Sequence, residues 1–367
     1  MKHDDTKDKK LEVIAFMISV ITVSLLMLTI GSDKISYAAA SLMLYSPEKY
    51  TVSQKSTAVT ENPTPVDLGT TIPFTPLVVT DLAQTPDDIL ETIEKYTLIF
   101  SEDEFGGNIK ETAYVQIGAT HIFENIRVKN TTETKSLDIE AVMNTPLNLK
   151  IDKSKPAVLI FHSHTSEGYE LIERDWYADG YNARSNDENL NVVRVGTEIA
   201  DYLTEMGYTV IHDKTIHDDN YSDSYPNSRK TVERYLEEYP EIQIVLDIHR
   251  DSITLDDGTR MRPVSTVNGK KAAQLMIITG AEEGNVEDFP DWEHNLRFAL
   301  ELQRECESLY PELMRPVLFS QRKYNMDLTR CSLLIEMGSE ANTLEQACYS
   351  GRLLAAALAS LMDRYAV

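Results

Sequence analysis

The chain has 367 residues, 42% hydrophobic and 26% charged, with 35 Lys and Arg against 59 Asp and Glu for a formal charge of −24. That length allows one large domain with appendages or two domains, and the acidic balance argues against a nucleic-acid partner, whose phosphates call for an excess of basic side chains. Three cysteines (Cys306, Cys331, Cys348) with no Cys-x-x-Cys spacing exclude a disulfide framework and a thiolate zinc cluster, which leaves the chemistry to His, Asp, Glu, Ser or Tyr.

In chain order, residues 1–12 carry Lys7, Lys9 and Lys10 and precede an uncharged run of 18 residues, 13–30 (VIAFMISVITVSLLMLTI). Such a run can just cross a bilayer as a helix, and its cationic flank keeps the first residues in the cytoplasm. The expectation is a single anchor over 13–31 with the rest of the chain outside the cell. Cleavage after Ala38-Ala39-Ala40 is the alternative, though those small residues lie well beyond the run. Residues 32–85 are rich in Thr, Ser and Pro and predict an extended stalk. Between 86 and 153 the spacing predicts a short amphipathic helix over 87–96 and strand-like pieces at AYVQIG (113–118) and HIFENIRV (121–128), read as a small accessory region.

From residue 154 the pattern is regular. AVLIF (157–161), YTVIH (208–212), IQIVLDI (242–248), AQLMIITG (273–280), PVLFS (316–320) and CSLLIE (331–336) read as strands, AVLIF as a continuous apolar run. Helices are predicted over 191–206, ending at Gly207, over 228–238 before Pro240, from Asp291, and from a capping box at Thr343. Strands alternating with helices predict an open, mostly parallel, doubly wound α/β sheet over 154–367.

In such a sheet ligands bind beyond the carboxyl ends of the strands. Three strands end there in unusual residues: AVLIF runs into His162-Ser163-His164-Thr165-Ser166-Glu167, IVLDI into His249-Arg250-Asp251, and SLLI into Glu336. His164, Glu167 and His249 form a two-His, one-carboxylate set suited to a catalytic zinc with an open position. Glu336 stands where a general base could take a proton from water, and Arg250 could hold a substrate carboxylate or an oxyanion. The bland alternative is a buried His–Glu–Arg network that only orders the loops. His212 and His217 flank a loop that reads better as a mobile rim with tyrosines than as a ligand source. Cys331 reads as core, and the Asp218-Asp219 and Asp256-Asp257 pairs as solvated charges. Ser163 and Ser166 lack a nucleophile elbow, and no glycine-rich phosphate loop occurs.

The stretches DIEAVMNTPLNLKI (138–151), PAVLIFHSHTSEGY (156–169), NVVRVGTEIADYL (191–203), VIHDKTIHD (210–218), YSDSYPNSRKTVERYLEEYP (221–240), IVLDIHRDSI (244–253), STVNGKKAAQLMIITG (265–280) and LLIEMGSEANTLEQA (333–347) together resemble the stage II sporulation protein P family, the membrane-anchored cell-wall hydrolases of endospore-forming bacteria. The resemblance runs in order over roughly residues 138–360. It implies an amidase-like α/β fold, zinc dependence, and hydrolysis of peptidoglycan as an N-acetylmuramoyl-L-alanine amidase, with cross-link endopeptidase activity also attributed to the family. It further implies a place in septal wall degradation and engulfment, in complex with stage II sporulation proteins D and M. The family's motifs fall on His162, His164 and Glu167, on His249 and Arg250, and on Glu336; His-Ser-His stands here where His-Thr-His is often found. Related zinc amidases take a carboxylate ligand from the region where Glu188 stands, so Glu188 competes with Glu167, and His162 with His164. A degenerate amidase that binds wall peptides or scaffolds partners without cleaving is the other functional reading.

Overall fold

A computed structural model of the chain describes residues 82–97, 104–181 and 183–367, all within one unit, Phe74–Val367. The expected anchor and nearly all of the stalk lie outside the described residues. Among the described residues no helix is long and apolar enough to cross a membrane.

The elements run α1 (Asp87–Thr97), β1 (Phe105–Thr112), β2 (His121–Phe123), β3 (Ile126–Asn130), α2 (Ile139–Met143), β4 (Pro156–Phe161), β5 (Trp176–Ala178), α3 (Val192–Glu205), β6 (Thr209–His212), α4 (Ser224–Glu238), β7 (Ile244–Asp251), β8 (Arg260–Val267), β9 (Lys270–Ala273), β10 (Leu275–Gly280), α5 (Trp292–Leu309), β11 (Val317–Ser320), β12 (Cys331–Ser339) and α6 (Leu344–Asp363). Local chemistry sets several bounds. Asn191 caps α3 through its side chain, and Gly207 follows it at φ +85°. Thr343 and Gln346 make the reciprocal capping box of α6. AYVQIG is not a strand; the strand lies just before it, at 105–112, and Gly118 turns at φ +80°.

The main sheet has eight strands in the order β2-β3-β11-β10-β12-β7-β4-β6. It is mixed, not the mostly parallel sheet the alternation predicts: β10 runs antiparallel to β12, and β2 to β3. The reason lies in the connections. Parallel neighbours need a crossover of a dozen or more residues, usually a helix. Between β7 and β10 the chain makes a hairpin instead, β8 and β9 joined at Asn268-Gly269 with φ +51° and +79°, so it re-enters the sheet in the opposite direction. β8 and β9 belong to a second, four-stranded sheet, β5-β1-β8-β9, which the sequence pattern did not reveal.

The stretch 86–153 contributes strands to both sheets. β3 pairs in parallel with β11 and so extends the main sheet, while β1 pairs with β8. Helices α3, α5 and α6 cover one face of the main sheet over a core that includes Val158, Ile160, Ile244, Leu246, Ile248, Leu333 and Ile335. The other face is thinner: Leu159, Phe161 and Val245 pack with Val232 of α4. Each such buried side chain contributes roughly 1.5–3 kcal/mol.

Gly196 of α3 lies over the buried His162 and the half-buried His212. A Cβ there would stand 2.7 Å from His212 Nε2 and 2.8 Å from the His162 ring. Alanine is ordinarily the better helix residue by about 1 kcal/mol. Here overpacking decides, and Gly196→Ala is expected to lower the unfolding free energy by about 1–3 kcal/mol in a denaturant titration. A variant more stable than the parent would show that the rings can yield.

Candidate functional site

The site begins where β4 leaves the sheet. His162, the first residue past the strand, turns under α3 and away from the other candidates. Its Nδ1 donates to Ile248 O at 2.9 Å, which leaves Nε2 as the acceptor of His212 Nε2–H at 2.9 Å. Burial lowers His162 to about 4 and His212 to about 2, so both rings are neutral. His217 is also structural: its Nδ1 donates to His162 O at 2.8 Å and its Nε2 meets Thr231 Oγ1 at 2.9 Å. Glu188 is exposed and lies 3.5 Å from Lys214. The first-turn histidine that faces the other candidates is His164, whose ring stands edge-on to that of His249 at 5.3 Å.

β7 supplies the second group, and its pleat sorts the residues. Alternate side chains of a strand point to opposite faces, so Asp247, His249 and Asp251 share one face while Ile248 and Arg250 take the other. The Arg250 guanidinium makes its contacts within the chain. Its Nε donates to Gly168 O at 3.0 Å, Nη2 to Ala183 O at 3.1 Å and Nη1 to Asp251 O at 3.4 Å. A guanidinium tied to three carbonyls orders the loops at Gly168 and Ala183. Its backbone N–H does reach the site, donating to Glu167 Oε2 at 3.1 Å.

His249 stands between two carboxylates. Its Nδ1 is 3.4 Å from Glu167 Oε2 and its Nε2 is 2.8 Å from Asp247 Oδ1, the latter an ion-pair contact out of line for a hydrogen bond. Burial alone would lower its pKa, but Asp247 and then Glu167 outweigh it and raise it well above the ordinary value. Burial likewise pushes Glu167 up, yet His249 and Arg250 bring it down to about 2. Asp247, which was not singled out from sequence, is buried and held by Ser163: N–H to Oδ1 at 2.8 Å and Oγ to Oδ2 at 2.5 Å. Its signal was available, since a residue two before a strand histidine shares its face.

His164 is buried, and its Nδ1 has no partner. The orphaned, buried imidazole nitrogen beside a Glu167–His249 pair matches zinc in donor type, two imidazoles and a carboxylate, with Asp247 against His249 where an outer-shell partner would stand. Among the described residues no three or more His, Cys, Asp or Glu side chains are placed so that together they could hold a metal ion.

Glu336 pairs across the sheet with His249 in the β12–β7 register and so shares its face. It keeps some exposed surface, but its Oε2 is sealed from solvent without a partner. Desolvation, then the nearby Asp251, pushes its pKa up to about 8. Asp251 is paired with Arg315 at 2.8 Å.

The rim is aromatic. Tyr221 stacks on His164 at 4.3 Å, Tyr225 meets the same ring edge-on at 5.4 Å, and Tyr324 stacks on Tyr225 at 4.9 Å. Asp218 is not the solvated charge its Asp-Asp sequence suggested: its side chain is 0% exposed, accepting from Ser166 Oγ at 2.6 Å and pairing with Arg184 at 3.2 Å. Arg184 also approaches Glu167 Oε1 at 3.5 Å. No sequence pattern marks Arg184. Asp257 remains an exposed loop charge.

Fold and cluster together define an α/β protein with a buried His–carboxylate centre at the carboxyl edge of a mixed sheet. The chain belongs to the stage II sporulation protein P family, whose model matches residues 91–359. It is 31% identical over 206 residues to stage II sporulation protein P of Bacillus subtilis (strain 168), a match covering 52% of this chain and 47% of that protein. The chain thus spans about half the length of the curated relative it matches. Among solved structures it is similar to the CwlD amidase from Clostridioides difficile in complex with the GerS lipoprotein (TM-score 0.36, 12% identity, 57% of this chain and 98% of that one). It is also similar to the N-acetylmuramoyl-L-alanine amidase AmiC2 of Nostoc punctiforme (TM-score 0.33, 14% identity, 57% and 96%). None of these distant likenesses bears on the chemistry.

Proposed function

We propose that this chain is a zinc-dependent peptidoglycan hydrolase of sporulation, an N-acetylmuramoyl-L-alanine amidase. The observation that carries the reading is the meeting of His164, Glu167 and His249 beside Glu336, whose carboxyl has a sealed, unpartnered oxygen. Membership of the family supports it.

His164, Glu167 and His249 would hold the metal. Zinc, when bound, acidifies water and polarises the amide carbonyl. The rest falls to the chain. Asp247 orients the His249 ring from behind, and the Arg250 N–H steadies Glu167 Oε2. Glu336 accepts the proton of the attacking water and returns it to the leaving amine of L-alanine; a carboxyl poised near neutrality suits both transfers. The Tyr221 and Tyr225 rings wall the His164 side of the cleft.

Residues 13–31 anchor the chain in this reading, the site works outside the membrane at the sporulation septum, and stage II sporulation proteins D and M are its partners. Cross-link endopeptidase activity is a second reaction of the same centre.

The test is dye release from purified, labelled peptidoglycan with and without a zinc chelator, with product analysis. Chelation is expected to stop release and zinc to restore it, with new free L-alanine amino groups among the products. Release that continues undiminished in chelator would remove zinc from the mechanism. Binding of peptidoglycan without release would favour the scaffolding alternative.

A further inference from the structure

Glu167 meets a distant part of the chain at Arg184, with which it forms an isolated antiparallel bridge. The guanidinium of Arg184 reaches three groups. Nη2 lies 3.5 Å from Glu167 Oε1, and Nη1 donates to Ser166 Oγ at 3.0 Å and to Asp218 Oδ2 at 3.2 Å. Its plane stands 5.3 Å from the ring of Tyr221, which itself stacks on His164. The two oxygens of Glu167 are thereby divided. Oε2 faces His249 Nδ1 and accepts the Arg250 N–H, while Oε1 faces Arg184.

That division has a physical use. The terminal torsion of a glutamate is broad, so which oxygen is presented beside His249 depends on what holds the other one. A planar guanidinium fork gives direction that a lysine ammonium, a compact point charge, cannot. The Arg184 side chain keeps 30% of its surface exposed, and a pair at such a rim adds little stability in itself. Loop ordering already has Arg250, with its three carbonyls. The contacts of Arg184 go to the neighbours of both first-turn metal candidates: to Glu167 directly, and to His164 by way of Tyr221.

We propose that Arg184 is a positioning residue of the metal centre: it fixes the Glu167 carboxylate and, through Asp218 and Tyr221, couples the aromatic rim to His164. This rests on the zinc reading above and adds to it a task for a residue outside the donor set.

The test uses the full chain and zinc alone, with Kd measured by competition against a chromogenic chelator. Absorption of the cobalt-substituted protein and melting of the metal-free protein accompany it. Arg184→Gln is expected to weaken zinc binding by about 10- to 100-fold, the range for losing an outer-shell partner, and to shift the cobalt bands. Arg184→Lys should recover part of the affinity. A Gln variant that melts lower yet binds zinc within twofold of the parent would overturn the proposal, because the arginine would then be structural only. If the Gln variant does not fold, Arg184→Lys decides: it keeps the charge without the fork, and a Kd equal to the parent's overturns the proposal. A parent protein that binds no zinc would sink the zinc reading itself, an outcome separate from failure of the Arg184 role.

Discussion

Glu336→Gln is expected to cut hydrolysis of purified peptidoglycan by about 10³–10⁴-fold, the upper part of the range for a positioned acid–base group, while zinc content and fold stay unchanged. Gln keeps the size and one carbonyl oxygen of the side chain but cannot accept the proton of water. The effect sits at the top of the range because one carboxyl does both transfers, from water and to the leaving nitrogen. Zinc should remain, since Glu336 lies outside the His164, Glu167 and His249 donor set. The measurement is dye release alongside metal analysis of the same preparation. Normal release by this variant would end the assignment, and loss of zinc together with activity would make Glu336 a ligand instead of a base.

The same substitution should stabilise the metal-free protein, with a pH dependence whose sign is set by the raised pKa. In the folded chain Glu336 holds its proton up to about pH 8, against an ordinary value of 4.5. Between those values the folded state keeps a proton that the unfolded state has lost, so the parent loses stability as pH rises through this window. Each unit is worth about 1.4 kcal/mol. The full shift sets a ceiling near about 5 kcal/mol, and the partial exposure of the side chain brings the expected gain of Glu336→Gln to about 3 kcal/mol at pH 8. Below pH 4.5 the two proteins should melt alike. Bound zinc should shrink the gain, because a nearby cation favours the carboxylate. A pH-independent difference in melting would mean that the carboxyl titrates normally. A pH-dependent gain on removing a carboxyl proposed to serve the reaction would be the usual trade between stability and activity.

Much of this site was legible in the sequence because the strands that bear it are largely apolar. A His or Glu closing such a run is conspicuous, and His164, Glu167, His249 and Glu336 were all found that way. The next shell was less so. Asp247 could have been read from its two-residue spacing to His249, and the same spacing rule removes Arg250, one residue on, to the opposite face. Asp218 looked like a solvated charge because its burial depends on Ser166 and Arg184, which are 52 and 34 residues away in sequence.

The sheet shows the same division. The main-sheet strands from residue 154 onward followed from periodicity, but their direction did not. That β10 returns antiparallel beside β12, after the hairpin at Asn268-Gly269, is a matter of which edge receives it.

By itself, then, the sequence determined what depends on near neighbours: the apolar strands, the caps at Asn191 and Thr343, and the polar residues that close three strands. Only the tertiary structure decided which of those residues meet. Facing requires strand register, pleat and loop closure together, and each of these is settled by contacts between parts of the chain that are far apart in sequence. His162 and His164, two residues apart, show the outcome: one is sealed beneath a helix against His212, and the other stands in the cleft beside His249.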